Sequence, residues 1–397
     1  MKDLKYRFFP VLALGFFRVA NVTSISLAIP LYYYQLGYPP SMIGLISSAL
    51  TFTYIFSPLI FKNIPDRLGK KKSLVISVGA IFLIQTVFQF SLEPLLFSVL
   101  RMAEGIFLGL FWPALGASIS SISAMDEVKY NDLLKDKIMK NYSLSWNLGG
   151  IFSFLLGTFV LFVISDLNLI FDFTLIFMGI AFIASLLFIE PTNNGKENEN
   201  FVPLNVKKIN NVAREYIKFP LYIPLFILII YGFLSNAYTF LYPLKSEYLG
   251  FPLFTNYFII FILSTSRLIF IAKFMTLSIQ HLKKFVISSL CILIIVFVLM
   301  GISQNLIIFG ILSGVIGFCL SILYCLSFKL IMFKNIAQNT SKYSSYFEST
   351  LGFSFFLGPV ISGFIAGTSI DIGYFFLTVL SMIAFIIFII LKNKIES

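Results

Sequence analysis

The chain has 397 residues, of which 58% are hydrophobic and 12% are charged, and its formal net charge is +11. Soluble domains carry roughly 25% charged residues, so this composition excludes an ordinary water-soluble enzyme. The apolar residues form continuous runs, such as 175–189 and 381–391, within segments long enough to cross a bilayer as helices. The sequence therefore predicts an all-α integral membrane protein.

Breaks at charged, proline and glycine clusters divide the chain into twelve predicted transmembrane helices, numbered spans 1 to 12. Their ranges are 8–35, 40–61, 73–91, 95–123, 138–164, 168–189, 220–243, 252–274, 284–302, 305–332, 343–367 and 371–391. The polar, Asn-rich segment 191–218 separates six spans from the next six. We therefore predict an N-terminal six-helix bundle over residues 1–190, a cytoplasmic linker over 191–218, and a C-terminal six-helix bundle over 219–397.

The positive charges predict the orientation of the chain. With the N-terminus in the cytoplasm, all but four of the 29 lysines and arginines lie on the cytoplasmic side; the four are Arg18, Arg101, Lys245 and Arg267. Cytoplasmic loops are enriched in Lys and Arg, so we expect both termini to be cytoplasmic in a multi-pass protein of the cell membrane. The net positive charge then reflects topology, and no nucleic-acid partner is expected.

The two halves of the sequence resemble each other. Pro30 and Gly37, after an aromatic stretch, are matched 213 residues later by Pro243 and Gly250. The basic stretch GKKKSLVIS at 69–77 is matched by HLKKFVISS at 281–289, at nearly the same offset. An even number of spans separates the copies, so the pattern predicts a parallel repeat.

The loop after span 2 reads DRLGKK and contributes Asp66, Arg67, Gly69, Lys70 and Lys71. Span 4 contains RMAEG, with Arg101, Glu104 and Gly105. A D-R-x-G-K/R-K/R loop at this position and an R-x-x-(Q/E)-G sequence in span 4 resemble signatures of the major facilitator superfamily. The resemblance implies two pseudo-symmetric six-helix bundles and a conformational latch formed by the five loop residues. The chain departs from the family pattern at Lys62, where the family has glycine, and near Ser278, where the second half lacks the acid.

Charged residues inside spans are candidates for function. A charge at the bilayer centre costs about 2.5–3.5 kcal/mol on insertion scales and usually faces a cavity or a partner. Arg18 and Asn21 share one face of span 1, and Arg101 and Glu104 share one face of span 4. Arg101 and Glu104 form a local pair, or one of them reaches toward span 1. The functional alternative is a polar cavity in which Glu104 takes up a proton, and the structural alternative is an ion pair that braces span 4.

Other polar residues within spans complete the predicted substrate and proton pathway. In the second half, Arg267 and Glu348 lie closer to the cytoplasmic ends, where snorkelling or a gate pair is an alternative to substrate contact. The remaining candidates for the cavity lining are Trp146, Asn147, Asn236, Tyr238 and Tyr324.

Pairs of glycines four residues apart predict close contacts between helices. They are Gly105 with Gly109, Gly310 with Gly314, and Gly363 with Gly367. In span 11 the sequence LGPVISG resembles the G-P-x-x-x-G element that drug/proton antiporters of the superfamily carry in span 5, whereas span 5 has no proline here. This displacement weakens the assignment to that group.

We therefore expect a secondary active transporter that moves a small organic solute by alternating access, coupled to protons. The alternatives are a proton-linked exporter of drugs or hydrophobic compounds, and a non-transporting membrane sensor on the same fold. No Walker-type loop is present in the sequence, so ATP is not the direct energy source. We expect no enzymatic activity, cofactor or metal site. The expected partners are the solute, protons and the lipid bilayer, and the expected state is a monomer.

Overall fold

The computed structural model describes residues 2–123, 125, 128, 132–191, 219–338 and 342–395. These residues form fourteen α-helices, a 3₁₀ turn and no β-strand. The helices are Lys2–Gln35, Pro40–Tyr54, Ser57–Phe61, Ile64–Leu68, Lys70–Phe88, Pro94–Ser123, Asp132–Val163, Asn168–Leu187, Tyr222–Tyr248, Phe254–Phe274, Ile279–Ile302, Leu306–Gln338, Lys342–Ala366 and Ile370–Leu391. In hydrocarbon every backbone polar group must be paired within the protein, and an α-helix achieves this along its own length.

Twelve candidate membrane spans occur in the described part of the chain, as predicted. They are Tyr6–Gln35, Pro40–Phe61, Lys70–Phe88, Pro94–Ser123, Lys137–Val163, Asn168–Leu187, Tyr222–Tyr248, Phe254–Phe274, Ile279–Ile302, Leu306–Met332, Tyr346–Ala366 and Ile370–Lys394. Span 9 begins earlier than predicted because the hydroxyl of Ser278 caps the helix by accepting a hydrogen bond from the N–H of His281. The basic residues that follow therefore belong to the first turns of this helix.

The paired residues of the sequence repeat adopt the same local structure. Pro30 and Pro243 lie inside helices that end a few residues later, and Gly37 and Gly250 follow those ends with φ angles of +79° and +70°. Only glycine adopts this left-handed conformation without a steric cost. The repeat in the sequence thus corresponds to a repeated turn after spans 1 and 7.

Clustering of Cα distances divides the chain into two compact units. The first contains the described residues within 2–33, 49–191 and 253–258, and the second contains those within 34–48, 219–252 and 259–395. These boundaries differ from the predicted bundles, because the end of span 1 and the first part of span 2 belong to the second unit and the start of span 8 belongs to the first. The bundle boundaries drawn from the linker remain a prediction.

Glycines allow some of these helices to approach closely. A methyl group added at Gly105 would lie 2.2 Å from the carbonyl oxygen of Leu50, and one added at Gly109 would lie 2.3 Å from the side chain of Ser57. The hydroxyl of Ser57 also donates a 3.0 Å hydrogen bond to the carbonyl of Gly105. Spans 2 and 4 are therefore in backbone contact, which small residues permit in membrane helices.

Candidate functional site

The first unit contains a buried polar network centred on the carboxylate of Glu104. Arg18 Nη2 donates to Glu104 Oε1 at 2.9 Å, and Arg101 Nη1 donates to Glu104 Oε2 at 2.5 Å. All three side chains are at most 1% exposed. Both alternatives drawn from the sequence therefore hold: Glu104 pairs with Arg101 on its own helix and also reaches Arg18 on span 1.

Two amide side chains extend the network. Arg18 Nη1 donates to Asn21 Oδ1 at 2.5 Å, and Asn21 Nδ2 donates to Gln85 Oε1 at 2.7 Å and to the carbonyl of Thr174 at 2.8 Å. Gln85 Nε2 in turn donates to Glu104 Oε1 at 3.0 Å. Five polar side chains from spans 1, 3 and 4 thus form one connected cluster, and the Thr174 carbonyl of span 6 joins it.

Gln85 is the member of this network that the sequence reading missed. It is 1% exposed and lies in the otherwise apolar run AIFLIQTVF of span 3. An uncharged amide in the middle of such a run is the signal that could have identified it, because a polar group buried in hydrocarbon needs a partner.

Trp146 and Asn147 do not contact this network through any hydrogen bond between described residues. Asn147 Nδ2 donates to the carbonyl of Ser143, one turn earlier on its own helix, at 2.8 Å. Trp146 is half-buried and lies beside Gly15 of span 1. The structure therefore places both residues on span 5 and gives the amide of Asn147 a local partner.

Arg267 lies in the second unit with a different set of contacts. It is half-buried, and Nη1 donates hydrogen bonds of 3.4 Å to the hydroxyl groups of Tyr231 and Ser235. Tyr324 packs against Tyr231 with ring centroids 5.3 Å apart, and Arg267 and Glu348 are among the charged groups near it. Three predicted site residues, Arg267, Tyr324 and Glu348, are thus brought together.

The other two candidates of the second unit hold helices together. Asn236 Nδ2 donates to the carbonyl of Phe355 at 2.6 Å and so joins spans 7 and 11. The hydroxyl of Tyr238 lies 2.5 Å from that of Ser313, and both side chains are fully buried. Each of these contacts is a single neutral hydrogen bond between neighbouring helices.

The loop after span 2 has an acidic partner that the motif did not indicate. Glu190, at the end of span 6, accepts hydrogen bonds from the backbone N–H groups of Lys70 and Lys71 at 3.4 and 3.3 Å. Its carboxylate therefore sits at the N-terminus of the helix Lys70–Phe88, where a negative charge is stabilised. Asp66 and Arg67 are exposed and have no hydrogen bond or ion pair with another described residue.

The same segment is tied to the N-terminal helix and to span 4. Arg7 Nη1 donates to the carbonyl of Glu190 at 3.0 Å, and Lys70 Nζ donates to the hydroxyl of Ser121. Gly69, with φ of +94°, provides the turn between the helices Ile64–Leu68 and Lys70–Phe88. Gly69, Lys70 and Lys71 are therefore held in place, whereas the side chains of Asp66 and Arg67 face solvent.

The twelve apolar helices of the described residues are long enough to make this a multi-pass membrane protein. The family model described as "Major Facilitator Superfamily" matches residues 11–335, and the chain belongs to this superfamily. The predicted family and fold are thereby confirmed. The family indicates a membrane transporter with a small-molecule substrate rather than an enzyme. No group of three or more metal-binding side chains occurs among the described residues.

Solved structures show the same fold at low sequence identity. A mutant of the nucleoside transporter NupG gives a TM-score of 0.73 at 15% identity, covering 96% of this chain and 99% of that chain. A bacterial homologue of the human lysosomal transporter Spinster, inward-facing and unoccupied, gives 0.70 at 13% identity, with 99% of each chain covered. A structure from a study of proton-dependent oligopeptide transporters gives 0.69 at 14% identity, covering 98% and 99%. No curated protein sequence matches significantly.

Proposed function

We propose that the protein is a proton-coupled secondary transporter that moves a small organic solute across the cell membrane by alternating access, with Glu104 as the group that exchanges the proton. The observation that carries this proposal is the buried carboxylate of Glu104, which is bonded to both Arg18 and Arg101. Oligopeptide transporters that share this fold are described as proton-dependent, which is consistent with such coupling.

The energetics of the network favour a functional role over a bracing role. Taking a charged group out of water costs several kcal/mol, and well-packed apolar residues often stabilise a protein as well as a buried ion pair does. A brace between spans 1 and 4 would therefore not need three charged groups. A carboxylate between two guanidinium groups, however, can change its partners when a proton or a charged ligand arrives, and this is what a coupled transporter requires.

The orientation and the loop belong to the same proposal. We propose cytoplasmic termini, because Lys and Arg concentrate on one side of the predicted topology. A phosphatase fused to the C-terminus and active in the periplasm of a bacterial host would contradict this orientation.

We propose that residues 66–71 act as a latch, since Asp66 and Arg67 have side chains available for new partners. Asp66→Asn should then slow transport without changing the apparent affinity for the solute.

The test of transport uses purified protein in liposomes that contain a pH-sensitive dye. A metabolite library is screened for compounds that raise the thermal unfolding temperature, and uptake of each stabilising compound is then measured with and without a pH gradient. We expect uptake that is accompanied by proton movement. Flux of no stabilising compound would support the sensor alternative, and flux independent of the gradient would contradict proton coupling.

Glu104→Gln provides the residue-level test. Because an amide cannot take up the proton, this variant should exchange solute across the membrane but lose uptake driven by a pH gradient. The matched control is Asp172→Asn, which makes the same chemical change at an exposed acid on span 6. Gradient-driven uptake by Glu104→Gln at the rate of the control would show that the proton is carried elsewhere.

A further inference from the structure

The buried network of the first unit has an unbalanced charge. Arg18 and Arg101 each contribute a positive charge, and Glu104 contributes the one negative charge, so the cluster has a net charge of +1. Asn21 and Gln85 are neutral, and the other ionisable side chain that interacts with Arg18 is the phenol of Tyr54 on span 2. From span 6 the cluster meets the neutral Met178 and the carbonyl of Thr174. One positive charge therefore has no counter-charge among the described residues around it.

The arginines also have hydrogen-bond donors that are not used. The Nε atoms of Arg18 and of Arg101 are both buried and have no acceptor among the described residues. A buried donor without a partner costs about 1–3 kcal/mol, and more when it belongs to a charged group. The same two side chains therefore lack both a full counter-charge and acceptors for all of their hydrogen-bond donors.

One kind of ligand would supply both the missing negative charge and the missing hydrogen-bond acceptors. A monovalent anion neutralises the net charge, and a carboxylate supplies acceptor oxygens in the planar arrangement that a guanidinium group binds best. We propose that Arg18 and Arg101 form the binding subsite for the carboxylate of an organic monoanion, which displaces Glu104 from part of its contacts. This inference rests on the proposed transport function and names the substrate class.

Displacement of Glu104 also explains how the proton would be coupled. Two carboxylates that share one site disfavour each other's charge, so that one of them takes up a proton. The bound anion would keep the guanidinium contacts, and a proton from water would join a carboxylate oxygen of Glu104. Binding of the anion alone makes the site neutral, and the proton then returns it to the net charge of +1 that it has when empty. One anion and one proton would therefore cross together, and the transported pair is neutral.

The test compares acids with their uncharged amides, using the purified full-length protein. The probes are benzoate and benzamide, nicotinate and nicotinamide, and hexanoate and hexanamide, measured by the shift of the thermal unfolding temperature with ligand concentration. We expect saturable stabilisation by at least one acid and none by its amide. Amides that stabilise as strongly as the acids, or no stabilisation by any of the three acids, would overturn the inference.

Variants then locate the binding. Arg101→Gln should weaken binding of the carboxylate roughly ten- to hundredfold, as expected for loss of a charge-assisted contact, and Arg101→Lys should restore part of it. Glu104→Gln removes the competing carboxylate, so it should bind the acid at least as tightly as the native protein and without the native dependence on pH. The control Lys72→Gln removes an exposed positive charge and should bind like the native protein. Equal affinity in Arg101→Gln and native protein would refute the subsite.

These outcomes are separable from failure of the transport proposal. If uncharged or cationic compounds are transported with protons while no acid binds, the transporter stands and the anion subsite is refuted. If acids bind at Arg101 and no solute crosses the membrane, the subsite stands and transport is refuted.

Discussion

Arg18 and Arg267 are both arginines within membrane spans, but they are surrounded very differently. Arg18 is fully buried and bonded to a carboxylate and an amide, whereas Arg267 is half-buried and donates two 3.4 Å hydrogen bonds to hydroxyl groups. The first belongs to a network in which every partner depends on the others. The second makes only long hydrogen bonds to neutral groups. The comparison shows that an intramembrane charge has to be judged by its partners and not by its presence.

The largest expected effect comes from removing the centre of the first network. Glu104→Ala leaves two buried guanidinium groups unpaired, and breaking a buried ion pair in this way costs about 3–5 kcal/mol. Arg267→Ala removes two 3.4 Å hydrogen bonds to neutral hydroxyl groups and should cost only about 1 kcal/mol. In detergent, the fluorescence of Trp112 and Trp146 follows thermal unfolding of the first unit, and the reaction of Cys319 and Cys325 with a thiol dye follows unfolding of the second unit. Similar losses in both variants would contradict the distinction drawn between the environments of Arg18 and Arg267.

Alanine substitutions at the glycine pairs should have a smaller effect on stability. They compare a position where two helices approach closely with one where they do not. Gly105→Ala places a methyl group 2.2 Å from a backbone oxygen, so the helices must shift, at about 1–3 kcal/mol. At Gly310 the nearest atoms would be 3.5 Å away, so Gly310→Ala should be neutral or slightly stabilising. The unfolding temperatures of the two variants can be compared directly. A Gly310→Ala variant that is as unstable as Gly105→Ala would show that the spacing alone determines the contact.

The smallest effects concern buried hydroxyl groups of the second unit. Tyr238→Phe removes a hydrogen bond with Ser313 and should cost about 0.5–1.5 kcal/mol. Tyr374→Phe is the matched control, because its buried hydroxyl has no partner among the described residues, and its removal should be neutral or stabilising. Reaction of the buried Cys319 and Cys325 with a thiol dye reports unfolding of this unit. The opposite order of stability would contradict these assignments.

The sequence predicts the spans well because long apolar runs and charged breaks are properties of the chain itself. It also predicts that Arg101 and Glu104 meet, since residues three apart share a helix face. It does not show which helix lies opposite that face, so the contribution of Gln85, 19 residues before Glu104, was missed. For the same reason, glycine spacing correctly predicts the close backbone approach at Gly105 but also suggests one at Gly310, where an added methyl group would meet only side chains at 3.5 Å or more.

The loop after span 2 shows the same limit of prediction from sequence, for residues that are farther apart along the chain. Motif resemblance directs attention to Asp66, whose side chain has no partner among the residues that the structure describes, whereas Glu190 binds the start of the helix that follows the loop. These residues are about 120 positions apart in the sequence. No local pattern connects them, and folding of the first unit brings them together.

The hydrogen bond from Arg7 to the carbonyl of Glu190 has a practical consequence for anyone who produces the protein. Trimming the first seven residues would take away that anchor, and we expect it to loosen the end of span 6. Affinity tags are therefore better fused at the far end of the chain, or ahead of an intact start. A shortened version that purifies poorly would have lost this anchor rather than a membrane helix.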